Sequence, residues 1–140
     1  MTYSIPVVAI LCLISSSITF ALGIFVFARN PKVYINQLFL LLCSAGSFWA
    51  FFEFMLRHAD DVSYAIAWNM IGSLWVLTIP ITMHFVLVFS HHPLGERKYL
   101  PIIILLFYLP ALVFLIYDAA QAGTYQFTFI EGYGFDSAPG

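Results

Sequence analysis

Four runs of this chain, residues 5–28, 35–56, 64–89 and 99–117, are apolar over membrane length and hold almost no charge. A bilayer hydrocarbon core of about 30 Å takes about 20 helical residues to cross. Within lipid, backbone N–H and C=O groups find no water, so each run must bond within itself as a helix. Closed barrels solve the same problem with short alternating strands, and these runs are continuous and too long for that. The pattern predicts an all-α integral membrane protein, a bundle of four transmembrane helices.

Composition excludes the soluble alternatives. Only 9% of residues are charged while 62% are hydrophobic, too little charge to keep a soluble surface of this size wet. There is no basic patch for nucleic acid. Cys12 and Cys43 both lie inside apolar runs, which reads as buried free thiols and supports neither a disulfide framework nor a zinc site. The sequence predicts no metal and no cofactor. The first run does not read as a cleaved signal. It lacks a basic leader, exceeds the usual apolar length, and is followed rather than preceded by Arg29 and Lys32.

The loops set the expected orientation. Segment 29–32 is so short that the first two helices must form a tight antiparallel hairpin. That segment and 91–98 together hold Arg29, Lys32, Arg97 and Lys98, four of the five basic residues. The 57–61 segment is acidic on balance, and nothing after Tyr117 is Lys or Arg. Basic loops stay cytoplasmic. Both termini are therefore expected outside a plasma membrane that the chain crosses four times.

Inside the helices a few residues stand out. Ser15, Thr19 and Gly23 recur every four residues in the first run, the spacing of a small-residue packing stripe. In the second run Gly46, Ala50 and Glu53 fall within about 60° at 100° per residue, which turns Glu53 toward a neighbouring helix. An intramembrane carboxylate costs on the order of 3 kcal/mol at mid-membrane, which makes Glu53 a ligand or proton site candidate. The structural alternative is an ion pair with Arg57 at i+4. The third run carries Asn69, Ser73, Pro80 and His84 on one strip. Pro80 removes a helical bond, frees the Val76 carbonyl and predicts a kink; Pro110 predicts another in the fourth run. Antiparallel packing brings Asn69 to the depth of Glu53, close enough for a hydrogen bond. Together with Trp49 and Trp68 they form a candidate outward-facing ligand pocket. His84 reads as an interhelical hydrogen-bonding group. Trp49, Trp68, Tyr3 and Tyr64 read as an outer aromatic belt.

The tail changes character. From Thr124 to Phe129 aromatic and polar residues alternate, the pattern of a short strand. Gly132, Gly134, Pro139 and Gly140 should then break regular structure. Residues 1–140 read as a single transmembrane domain, with 118–140 an extracytoplasmic tail.

Several stretches resemble the N-terminal seven-helix membrane region of archaeal and bacterial sensor histidine kinases. They are Asn36-Gln37-Leu38-Phe39, the segment from Phe48 to Glu53, Ala65 to Trp68, and Ile79 through Pro80 and His84 to Ser90. The tail from Gly132 to Gly140 is similar to that family's extracytoplasmic loop before its fifth helix. The resemblance implies a sensory input region, here as the first four of seven helices, without the phosphoacceptor segment or the nucleotide-binding domain. It implies no catalysis by this chain. Its neighbours would be lipid, the remaining helices of the same receptor or a second copy, and a small-molecule ligand. Two other readings stand beside it. One is a transporter fragment with Glu53, Asn69 and the Pro80 bend lining a path; the other is a small structural membrane subunit. A retinal receptor is disfavoured, because Lys32 and Lys98 both lie in loops.

Overall fold

A computed structural model describes residues 6–121, 125–130 and 134–139. Four helical spans run through it, Val7–Arg29, Tyr34–Arg57, Val62–Phe89 and Arg97–Gln121, each long and apolar enough to cross a membrane. Two short strands follow, β1 (Tyr125–Ile130) and β2 (Gly134–Pro139). Successive spans alternate in direction. One end of the bundle therefore carries Arg29, Lys32, Arg97 and Lys98 (the basic end), and the other carries the β1–β2 hairpin (the hairpin end).

The first two spans form the tightest pair. The 29–32 turn is held by the residues that follow it. Asn36 donates from Nδ2 to the Asn30 carbonyl at 3.0 Å, and Gln37 from Nε2 to the Pro31 carbonyl at 2.9 Å. The buried seam of the first span is Ala9, Ser16 and Gly23, flanked by half-buried Cys12 and Thr19. Thr19 and Gly23 thus sit where expected, and Ser15 does not: it is exposed. A four-residue repeat drifts around the helix by about 40° per step, whereas a seven-residue repeat stays on the partner. Across the seam Ser16 and Ser47 each donate a hydroxyl to the other's backbone carbonyl, both at 2.8 Å. A Cβ on Gly23 would stand 2.6 Å from the Cys43 Cβ, so the close approach requires glycine there. Gly46 has open space around it and plays no such role.

The third span turns its strip inward. Ala65, Ser73, Val76, Pro80 and His84 are all buried. Asp61 caps its start, accepting from the Tyr64 N–H at 2.7 Å. Gly95 in the next loop lies so close to the end of this span that a Cβ would meet the Leu87 carbonyl oxygen at 2.6 Å. The fourth span buries little besides Ile103, and side chains such as Leu105, Val113 and Ile116 are exposed. That surface suits lipid or further helices.

The tail differs from the single strand expected. β1 pairs antiparallel with β2, Tyr125 opposite Pro139 and Ile130 opposite Gly134. Gly134 and Pro139 lie at the two ends of β2, the strand positions where a missing side chain and a missing donor do least harm. Phe129 faces Phe135 across the pair with ring centroids 5.4 Å apart. Phe135 is buried against Leu56, Ala59 and Ala65, which docks the hairpin on the connection between the second and third spans. Thr124, Gly132 and Gly140 fall outside the described residues, as does Tyr3 of the expected aromatic belt.

Candidate functional site

At the hairpin end the second, third and fourth spans enclose a cavity of about 570 Å³, open on one side. The second span contributes Trp49, Phe52 and Glu53. Trp68, Asn69, Ser73 and Trp75 come from the third, and Phe114 and Asp118 from the fourth. All four residues nominated from the sequence as a ligand pocket, Trp49, Glu53, Trp68 and Asn69, line this one space. The nominated polar residue Ser73 lines it as well.

Glu53 is half-enclosed and accepts from Arg57 Nη2 at 2.7 Å, one turn on along the same helix face. Arg57 is the more enclosed partner, with its side chain 11% accessible against 31% for Glu53. The second carboxylate is Asp118, which accepts a hydrogen bond from the Ser73 hydroxyl across the third and fourth spans. Asp118 was missed from the sequence because it falls one residue past the expected end of the fourth run. The span in fact continues to Gln121.

Aromatic rings make up most of the remaining wall. Trp49 and Trp75 lie with centroids 6.4 Å apart. Trp68 is held by Phe52 at 5.6 Å, Phe51 at 6.1 Å and Tyr64 at 6.1 Å. All three tryptophans of the chain line the cavity. Trp49 and Tyr64 are also exposed on the bundle surface.

Toward the middle of the bundle, Trp75 and Phe114 also wall a second cavity of about 400 Å³ between the third and fourth spans. The candidate hinge residues Pro80 and Pro110 both face it. Each follows a turn that is not α-helical. Ser73–Leu77 tightens to a 3₁₀ turn before Pro80. Ile104–Tyr108 loosens to a π turn before Pro110, with the Leu109 N–H donating to the Ile104 carbonyl. Proline denies the carbonyl four residues earlier its helical partner, and local 3₁₀ or π winding is how helices absorb that loss.

Nearer the basic end, His84 joins three spans. It is 4% exposed, its Nε2 lies 2.9 Å from the Tyr34 hydroxyl, and its Nδ1 lies 3.2 Å from the Tyr108 hydroxyl. The Arg97 guanidinium stacks 4.5 Å from the Tyr34 ring centroid. The two tyrosines carried no signal from the sequence, since an aromatic in an apolar run reads as packing.

Among the described residues no group of His, Cys, Asp and Glu is arranged to hold a metal ion. A family model described as the N-terminal 7TM region of histidine kinase matches residues 11–134 of the chain. No curated protein and no solved structure is significantly similar to it.

Proposed function

Because the chain belongs to the family of N-terminal 7TM regions of histidine kinases and is a sensory input region, we propose that it receives a small molecule in the cavity at its hairpin end. The observation that carries this reading is that the cavity takes its walls from three different spans and gathers Glu53, Asn69, Ser73 and Asp118 among aromatic rings. Size and lining suit a small ligand, since such sites occupy about 300–1,000 Å³ and combine apolar walls with a few placed polar groups. Arg29, Lys32, Arg97 and Lys98 at the opposite end support a cytoplasmic basic end, which leaves the cavity on the extracytoplasmic side.

A ligand shifts a conformational equilibrium only if it binds one state better than the other. A molecule seated here touches the third and fourth spans directly above their 3₁₀ and π turns, through Trp75 and Phe114. Packing at those turns is where the bound and free states would differ. A transport path is less well supported. Below the cavity the shared wall passes to Val76, Ile79, Pro80 and Leu106, which offer no polar side chain to a passing solute.

The test fills the space with protein. Gly72 lines the cavity, has helical backbone geometry, and a Cβ there meets nothing closer than 3.9 Å. In the kinase that carries this region, Gly72→Phe should hold output at one extreme while the protein still folds and inserts. Gly46→Phe, directed into open space, should leave output unchanged. A folded Gly72→Phe kinase with ordinary output would remove the cavity from the signalling role.

A further inference from the structure

We infer that the cavity at the hairpin end selects an organic ammonium ion, a quaternary or highly alkylated nitrogen cation with an apolar portion. The inference rests on the reading of that cavity as a ligand site. Two independent features point to it. The first is the wall: Trp49, Trp68 and Trp75, with Phe52 and Phe114, give five aromatic rings around one space. Ring faces attract cations, tryptophan most strongly, and a poorly hydrated alkylammonium gives up little solvation to enter such a lining.

The second feature is charge. Glu53 and Asp118 both line the cavity, and among the described residues Arg57 is the only Lys or Arg at this end of the bundle. One guanidinium cannot balance two carboxylates, however it is shared between them. Asp60, Asp61 and Asp136 add to the imbalance, so five of the six Asp and Glu residues among the described residues lie at the hairpin end. A cleft of one sign with apolar walls concentrates the opposite charge. An anionic ligand is disfavoured on the same count. A bare metal cation is disfavoured by the aromatic lining, because such ions take dense shells of oxygen ligands.

The same chemistry has two sources, a free ammonium solute or the choline headgroup of a lipid reaching in through the cavity's open side. The experiment uses the full chain in phosphatidylglycerol nanodiscs and follows its intrinsic fluorescence, which reports on this cavity because every tryptophan lines it. Choline is the probe, and its uncharged carbon isostere 3,3-dimethylbutan-1-ol is the control. Choline should change the emission saturably, and the isostere should not. Asp118→Asn keeps an acceptor for Ser73 and removes the charge; it should weaken choline binding about tenfold. Trp68→Leu, which leaves two reporters, should weaken it by a similar factor. In phosphatidylcholine nanodiscs, a choline titration weakened or lost relative to phosphatidylglycerol would support the inference with lipid as the source; an unchanged titration would support it with a free solute as the source.

Three results overturn the inference. They are an equal response to choline and the isostere, unchanged choline affinity in both variants, and no saturable response to choline in phosphatidylglycerol. If one of these appears while Gly72→Phe still locks kinase output, the ligand class is wrong and the cavity reading stands. If Gly72→Phe is silent while choline binds as described, the cavity holds a cation without serving as the receptor site.

Discussion

The pairing of Glu53 with Arg57 makes a quantitative prediction whose sign of asymmetry comes from burial. Exposed ion pairs at i and i+4 contribute about 0.3–0.5 kcal/mol, and breaking a fully buried pair costs about 3–5 kcal/mol. This pair lies between those limits, with a contact of 2.7 Å and side chains 11% and 31% accessible. Glu53→Gln removes the negative charge 2.7 Å from the more enclosed of the two side chains. Arg57→Gln leaves a carboxylate that still reaches the open cavity. The first loss should therefore be the larger, about 2 kcal/mol against about 1 kcal/mol for the second. The double variant should lose about 2 kcal/mol rather than the sum of about 3, a coupling of about 1 kcal/mol.

The measurement is reversible unfolding in mixed micelles titrated with denaturing detergent, followed by far-ultraviolet circular dichroism for the four proteins of the cycle. Losses that add within about 0.3 kcal/mol would show that the two residues act separately despite their contact. A larger loss for Arg57→Gln than for Glu53→Gln would refute the burial argument even if coupling were present. Coupling in the stated direction assigns Glu53 to a clamp on the second span.

Three further outcomes are expected. Gly23→Ala should cost about 1–3 kcal/mol by overpacking against the Cys43 Cβ, with Cys43→Gly restoring most of it in the double variant, while Gly46→Ala should be near neutral in the same assay. An impermeant thiol reagent applied outside intact cells should label Asp60→Cys and Gln121→Cys but not Asn30→Cys or Glu96→Cys, all exposed positions; labelling of the reverse set would invert the orientation. Pro80→Ala should return the third span's five-residue 3₁₀ turn to α winding and shorten the span by about 2.5 Å, read as a spin-label distance between residues 62 and 89; an unchanged distance would mean that the tight turn does not depend on the proline.

The helical spans were legible because lipid leaves the backbone a single economical solution, and four uncharged runs of the right length state it directly. The inward strip of the third span was legible for a related reason. Asn69, Ser73, Pro80 and His84 share an angular position, and polar groups in such a run turn away from lipid. The small-residue stripe was half right. Gly23 lies at the closest approach, but only the seven-residue repeat through Ala9 and Ser16 separates the packed seam from exposed Ser15. Strand β2 was not legible, since glycine and proline at its ends read as breakers; what holds it is Phe135 docking on Leu56, a contact between residues far apart in the chain.

The same distance explains what the candidate site kept hidden. Trp49, Glu53, Trp68 and Asn69 come from two neighbouring helices whose antiparallel register follows from one short loop, so their depths can be compared by counting residues. Asp118 belongs to a fourth helix whose rotation no loop length determines. Its place in the cavity depends on which way the chain emerges from the π turn at Ile104–Tyr108, where Leu109 bonds five residues back rather than four. One extra residue in a turn rotates everything beyond it by about 100°, enough to carry a side chain from lipid to the interior. Counting forward from Leu100, where the α-helix begins, at regular α spacing therefore puts Asp118 on a face other than the one opposite Ser73. The winding that Pro110 requires is the same winding that aims the second carboxylate.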